Sequence, residues 1–114
     1  MAGKASLKEA MRDVDVIVTP TLPNIAMKAG ETVSRIGSKE ETVFALSARF
    51  CAPFNMVGLP TASIPYGFAP NGLPIGVQIV GKPFAEETVL KLGHAFESDT
   101  DFHLKRSRLP GLGN

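Results

Sequence analysis

Helical and extended patterns alternate along this chain in the order α, β, α, β, β, α, which predicts an α/β fold: an incomplete mixed sheet of about three strands flanked by about three helices. Three observations carry that prediction. Segments with apolar residues at helical spacing follow capping signals, β-branched runs ("VIV", "VQIV") are closed by Pro or Gly, and Pro70-Asn71-Gly72 supplies turn chemistry between the last two extended runs. A sheet commonly holds roughly five or six strands, so one of about three is short of its complement. The chain has 114 residues and 44% hydrophobic composition, which suits a single core, and it is treated as one segment, 1–114.

The first element is "SLKEAMRDVD". Ser6 with Glu9 forms a capping-box pattern, and Leu7, Ala10, Met11 and Val14 fall on one helical face. Val14, Val16, Ile17 and Val18 then make a strand that Pro20 ends. From Thr19 to Gly37 the residues are rich in Pro, Gly and Asn without periodicity, and a long loop is expected. Ser38, with Glu41 behind it, reads as the cap of a second helix through Val43, Phe44, Ala45, Leu46 and Phe50, interrupted by Pro53. A helix apolar on most of its surface is buried, or waits to be buried by something larger. "TASIPYG" and "PIGVQIVGK" predict an antiparallel pair. "AEETVLKLGHAFES" predicts a last helix with acids in its first turn, where the helix dipole favours them, and the tail 104–114 is expected to be loosely held.

Lys and Arg number 12 and Asp and Glu 11, a net charge of +1, so there is no general electrostatic basis for nucleic acid or an anionic membrane as partner. Lys105, Arg106 and Arg108 read as solvated surface. Cys51 stands alone among apolar neighbours, which suits a core filler in a reducing compartment. The N-terminal residues lack an apolar signal region, and no run approaches the roughly 20 apolar residues of a membrane span, so a cytoplasmic, soluble protein is expected.

Known catalytic patterns are missing from the sequence. There is no G-x-S-x-G and no Ser-x-x-Lys. Ser6 and Lys8 are two apart and Ser38 and Lys39 adjacent, spacings that diverge on a helix. His94 and His103, with Asp99 and Asp101 between them, match no ligand spacing and read as surface or interface histidines; no metal and no cofactor is expected. "GLPIG" lacks the Lys-Ser/Thr of a phosphate loop. Gln78, inside "IGVQIV", is read from alternation alone as the exposed face of an edge strand; if buried, its amide must find partners.

Four co-linear blocks nevertheless carry a resemblance. "DVIVTPTLP" (Asp15 to Pro23), "APFNMVGLPTASIPYGF" (Ala52 to Phe68), "GLPIGVQIVGKPFAEETVLKLGHAFE" (Gly72 to Glu97) and "TDFHLKRSRLP" (Thr100 to Pro110) resemble, in order and spacing, the C-terminal end of amidase signature enzymes. The resemblance covers nearly the whole chain. It implies amide hydrolysis or transfer by a serine nucleophile, a second serine and a lysine base on a large mixed sheet. In the family those three residues lie in a Gly- and Ser-rich region upstream of these blocks; no such run occurs here, and no catalytic residue is assigned. By position, Phe44, Ala45 and Ala48 would face the substrate, Phe54 and Asn55 would sit near the end of that helix, and Gln78 would be a buried polar residue beneath the active region. Ala48 stands near where some glutamine-using members carry an acid, which points to a general amidase with an apolar pocket. The expected partners are the N-terminal portion of an amidase and a carboxamide substrate. A non-catalytic binding module, or one that buries its apolar surface by self-association, is the alternative.

Overall fold

The computed structural model describes residues 2–106, so the expectation for the tail falls mostly outside the described residues. In chain order the elements are α1 (Ala2–Ala10), β1 (Val16–Pro20), β2 (Val33–Ile36), β3 (Lys39–Thr42), α2 (Val43–Ala48), α3 (Ala52–Val57), β4 (Thr61–Phe68), β5 (Pro74–Gly81) and α4 (Glu86–Asp99), followed by a 3₁₀ turn at Phe102–Leu104. The α/β class is as expected, with β1, β5 and β4 forming a three-stranded sheet in that order.

β5 lies in the middle and pairs antiparallel with both neighbours: Thr19 and Ser63 both stand opposite Gln78, and Val18 and Ala62 both stand opposite Ile79. Because side chains alternate across a pleated strand, this register sorts the sheet into two faces. One carries Thr19, Gln78 and Ser63, and the other Val18, Ile79, Ala62 and Ile64. α4 packs on the second face, where a Cβ at Gly93 would stand 3.9 Å from Ile64 Cγ2 and 4.0 Å from Ile79 Cδ1. The closeness of this packing depends on Gly81, since a Cβ there would stand 2.7 Å from Val89 Cγ2 and 3.2 Å from the Ala85 carbonyl. On the first face, the hydroxyls of Thr21 and Ser63 hydrogen-bond at 2.7 Å above Gly76, where a Cβ would meet both at 3.0 Å. β4 is bulged between Pro65 and Gly67. Pro65 brings no N–H to the ladder, and bulges and edge strands are where a sheet tolerates that. At the far end Phe102 stacks on Phe96 and meets Phe68 edge-on, both at 6.3 Å, pinning the 3₁₀ turn.

Four details depart from the sequence reading. α1 begins at Ala2, which places Ser6 within the helix instead of at its cap. The expected loop from Thr19 to Gly37 contains β2, which pairs with β3 across a two-residue turn at Gly37-Ser38. Gly37 takes φ +60°, a conformation that favours glycine and that tight hairpins require. Ser38 therefore lies in a turn, and the cap of α2 is Thr42, whose hydroxyl accepts from the Ala45 N–H at 3.2 Å. Finally, Pro53 does not merely interrupt one helix. It occupies the first turn of α3, where its missing N–H leaves no bond unmade, and Gly58 closes that short helix in the left-handed conformation.

Gly81→Ala is expected to destabilise the chain by about 1–3 kcal/mol through overpacking against α4, read as a lower urea midpoint with unchanged slope. Thr42→Ala should cost about 1 kcal/mol as a lost cap, while Ser38→Ala stays within about 0.5 kcal/mol; equal effects would return the cap to Ser38.

Candidate functional site

α2 and α3 are six residues each and meet at an elbow, Arg49 to Cys51. Successive residues on a helix turn by about 100°, which puts Phe44, Ala45 and Ala48 on one side of α2 and Leu46 on the other. Leu46 is fully buried and anchors the helix. Phe44 is 84% exposed, Ala45 is exposed and Ala48 half-buried, so the side expected to face a substrate is open in this chain. The ion pair between Arg49 and Glu41 ties the end of α2 to β3.

The remaining expected residues divide. Phe54 turns inward and is 8% exposed, whereas Asn55, one position on, is exposed. α1 rests on α3 at this end, with Met11 buried just beyond the last turn of α1. Gln78 is 2% exposed, which replaces the exposed-face reading of alternation with the buried position that the family resemblance implied. Its amide nitrogen donates to Thr19 Oγ1 at 2.8 Å and to the Phe50 carbonyl at 2.6 Å. The structure thus gathers the six residues around one elbow in two groups. Phe44, Ala45, Ala48 and Asn55 form an outer group, fully or half exposed, and Phe54 and Gln78 are buried supports.

Sequence reasoning missed Thr19 and Phe50 and read Cys51 only as a core filler. The Cys51 thiol is half-buried and donates to the Thr21 carbonyl at 3.5 Å, a second tie between elbow and sheet. A backbone carbonyl such as that of Phe50 leaves no sequence signal; Thr19, inside an otherwise β-branched apolar run beside Pro20, was the available hint.

An open cavity of about 520 Å³ lies elsewhere, between the β2–β3 hairpin, the segment before it and Asn71, with Lys28, Glu31, Arg35 and Glu40 on its walls; none of the six elbow residues lines it. His94 is exposed on α4, and His103 is half-buried with Nδ1 enclosed and without a hydrogen-bond partner. Among the described residues, no three His, Cys, Asp or Glu side chains converge as a metal site, and no helix is long and apolar enough to cross a membrane.

With this geometry in view, a family model described as Amidase matches residues 3–90. The chain belongs to the amidase family. Similar curated amidase-family proteins include a glutamyl-tRNA(Gln) amidotransferase subunit of Methanosarcina mazei, 44% identical over 103 residues, which span 90% of this chain and 20% of that protein. The protein of the same description from Geotalea daltonii is 42% identical over 101 residues, 89% of this chain and 20% of the relative. Among solved structures, an amidase superposes with a TM-score of 0.79 at 28% identity, covering 84% of this chain and 22% of the other. The corresponding glutamyl-tRNA(Gln) amidotransferase subunit of Thermotoga maritima superposes with 0.71 at 36% identity, covering 85% and 20%. The chain therefore spans about a fifth of the length of the amidase relatives it matches and corresponds to the C-terminal portion of an amidase signature enzyme.

Leu46→Ala is expected to cost about 2–5 kcal/mol, and Phe44→Ser to change stability by no more than about 0.5 kcal/mol, because only the first side chain is buried in this chain. Chemical denaturation of the two variants reads the contrast directly.

Proposed function

We propose that this chain is the C-terminal, pocket-forming segment of an amide hydrolase that converts a carboxamide to a carboxylate and ammonia or an amine. In this reading an N-terminal amidase portion supplies the serine nucleophile, the second serine and the lysine base. In this reading Phe44, Ala45, Ala48 and Asn55 line the acyl side of the pocket, and Phe54 and Gln78 lie buried behind that wall. The observation that carries the reading is the open side of α2: an apolar helix face, fixed in place by a buried anchor on its other side, is a wall that faces a missing neighbour.

The wider surface agrees. Val18, Met56, Phe84, Leu90 and Leu104 are exposed as well. The radius of gyration is 16.0 Å, against about 13 Å for a compact free-standing domain of this length. Large exposed apolar surface marks an interaction site. Self-association would cover the same surface, and size-exclusion chromatography with light scattering separates the two occupants.

Ala48 favours simple carboxamides as substrates, while the curated relatives above are named as amidotransferase subunits, so glutamine belongs in the assay. Ammonia release is measured with the purified chain, alone and with a matching N-terminal amidase portion, on aliphatic and aromatic carboxamides and on glutamine. The expected result is turnover only with both portions present. Turnover by the chain alone that survives repurification would place a nucleophile within these residues and sink the proposal.

A further inference from the structure

We propose that Gln78 is a positioning residue that clamps the α2–α3 elbow to the sheet, setting the pose of the pocket wall without itself touching substrate. The inference rests on the pocket reading above only for its kinetic consequence; the clamp stands on geometry.

A carbonyl oxygen can only accept, so the nitrogen end of the Gln78 amide must face the Phe50 carbonyl. The same nitrogen reaches Thr19 Oγ1, and with two N–H groups and two bonds its donor capacity is used up inside the protein. Thr19 Oγ1 passes the chain on, donating to the Pro20 carbonyl at 2.9 Å. Next to Phe50, the Cys51 thiol donates to the Thr21 carbonyl. Two consecutive elbow residues are thereby tied to the sheet, Phe50 to Gln78 and through it to Thr19, and Cys51 to Thr21, whose N–H is itself bonded to the Gly76 carbonyl of β5 at 3.1 Å.

The elbow needs such ties. Helices of six residues have little stability of their own, and Cys51, at the cap of α3, makes no side-chain capping bond. Apolar anchors such as Leu46 and Phe54 hold the helices down but are non-directional. The bond to the Phe50 carbonyl is directional and sits at the one point that α2 and α3 share. At 2% exposure, and with both amide hydrogens committed, Gln78 holds its neighbours more readily than it meets a ligand.

The first test needs no variant. Gln78 is the single glutamine in the sequence, so its side-chain NH₂ pair is the one glutamine signal in a nitrogen-15 spectrum of the full chain. Both protons should exchange at least about tenfold more slowly than those of an exposed amide. Exchange at the free-amide rate overturns the clamp. The second test compares wild type with Gln78→Met, which keeps the length and loses both donors, and with Thr19→Val, which removes one partner. In Gln78→Met the backbone amides of Cys51, Asn55 and Gly58 should exchange about tenfold faster while the β4–β5 ladder and Val89 hold their wild-type rates. Thr19→Val should give a smaller change at the same amides. Uniform acceleration in both variants, or none in either, makes Gln78 an ordinary core residue and rejects the proposal. When the chain is paired with an N-terminal amidase portion, Gln78→Met should raise KM about tenfold and leave kcat within about twofold. If wild type itself gives no turnover there, the pocket reading fails while the exchange data still decide the clamp.

Discussion

β5 must satisfy neighbours on both edges and both faces at once, and the rest of the structure follows from how it does so. Among the described residues it is the strand paired on two sides, to β1 and β4, and Gln78 to Gly81 form the longest buried run. A run buried in this way is expected to be apolar. Here Ile79 and Val80 meet that expectation, Gly81 gives up its side chain so that α4 can approach, and Gln78 places a carboxamide where water is excluded. A buried amide left unpaired would cost about 1–3 kcal/mol. Its bonds to Thr19 and Phe50 avoid that cost and couple three separate stretches of chain: the end of β1, the α2–α3 elbow and the centre of the sheet.

The two faces of the sheet are finished to different degrees. The α4 face is closed over β4 and β5 by contacts short enough that a Cβ at position 81 would clash, while Val18 of β1 stays exposed at its edge. The other is tied down at the elbow but leaves Phe44 in solvent, while Ser63 and Thr21 bond to each other on its exposed part. Such asymmetry is natural for one part of a larger α/β enzyme, in which the sheet and the surrounding helices are completed by chain that lies elsewhere in sequence. The chain belongs to the amidase family and spans about a fifth of the length of the relatives it matches.

Local signals were legible where one physical rule acted alone. The β4–β5 pair was readable because β-branched runs flank a Pro-Asn-Gly turn, and α4 because its apolar spacing and first-turn acids agree. The β2–β3 hairpin was hidden by competition. Arg35 and Glu40 stand opposite each other in an exposed ribbon with little apolar alternation, and Ser38 followed by Glu41 imitates a capping box. Its one legible sign was Gly37-Ser38 between two four-residue extended runs. The true cap, Thr42, lies four residues later, immediately before the apolar run that it starts.

The sequence by itself determined the α/β class, the order of the main elements and, through its co-linear blocks, the family, because these follow from periodicity, turn chemistry and ordered motifs that a linear chain displays. Tertiary structure decided which side of each element is covered. Alternation along β5 assigns Gln78 a side but not a depth, and depth depends on whether an elbow some 28 residues earlier folds back to accept its hydrogen. The open face of α2 belongs to the same class of fact. Helical spacing groups Phe44, Ala45 and Ala48, but their exposure reflects which neighbours the rest of the fold supplies, and burial is a property of neighbours.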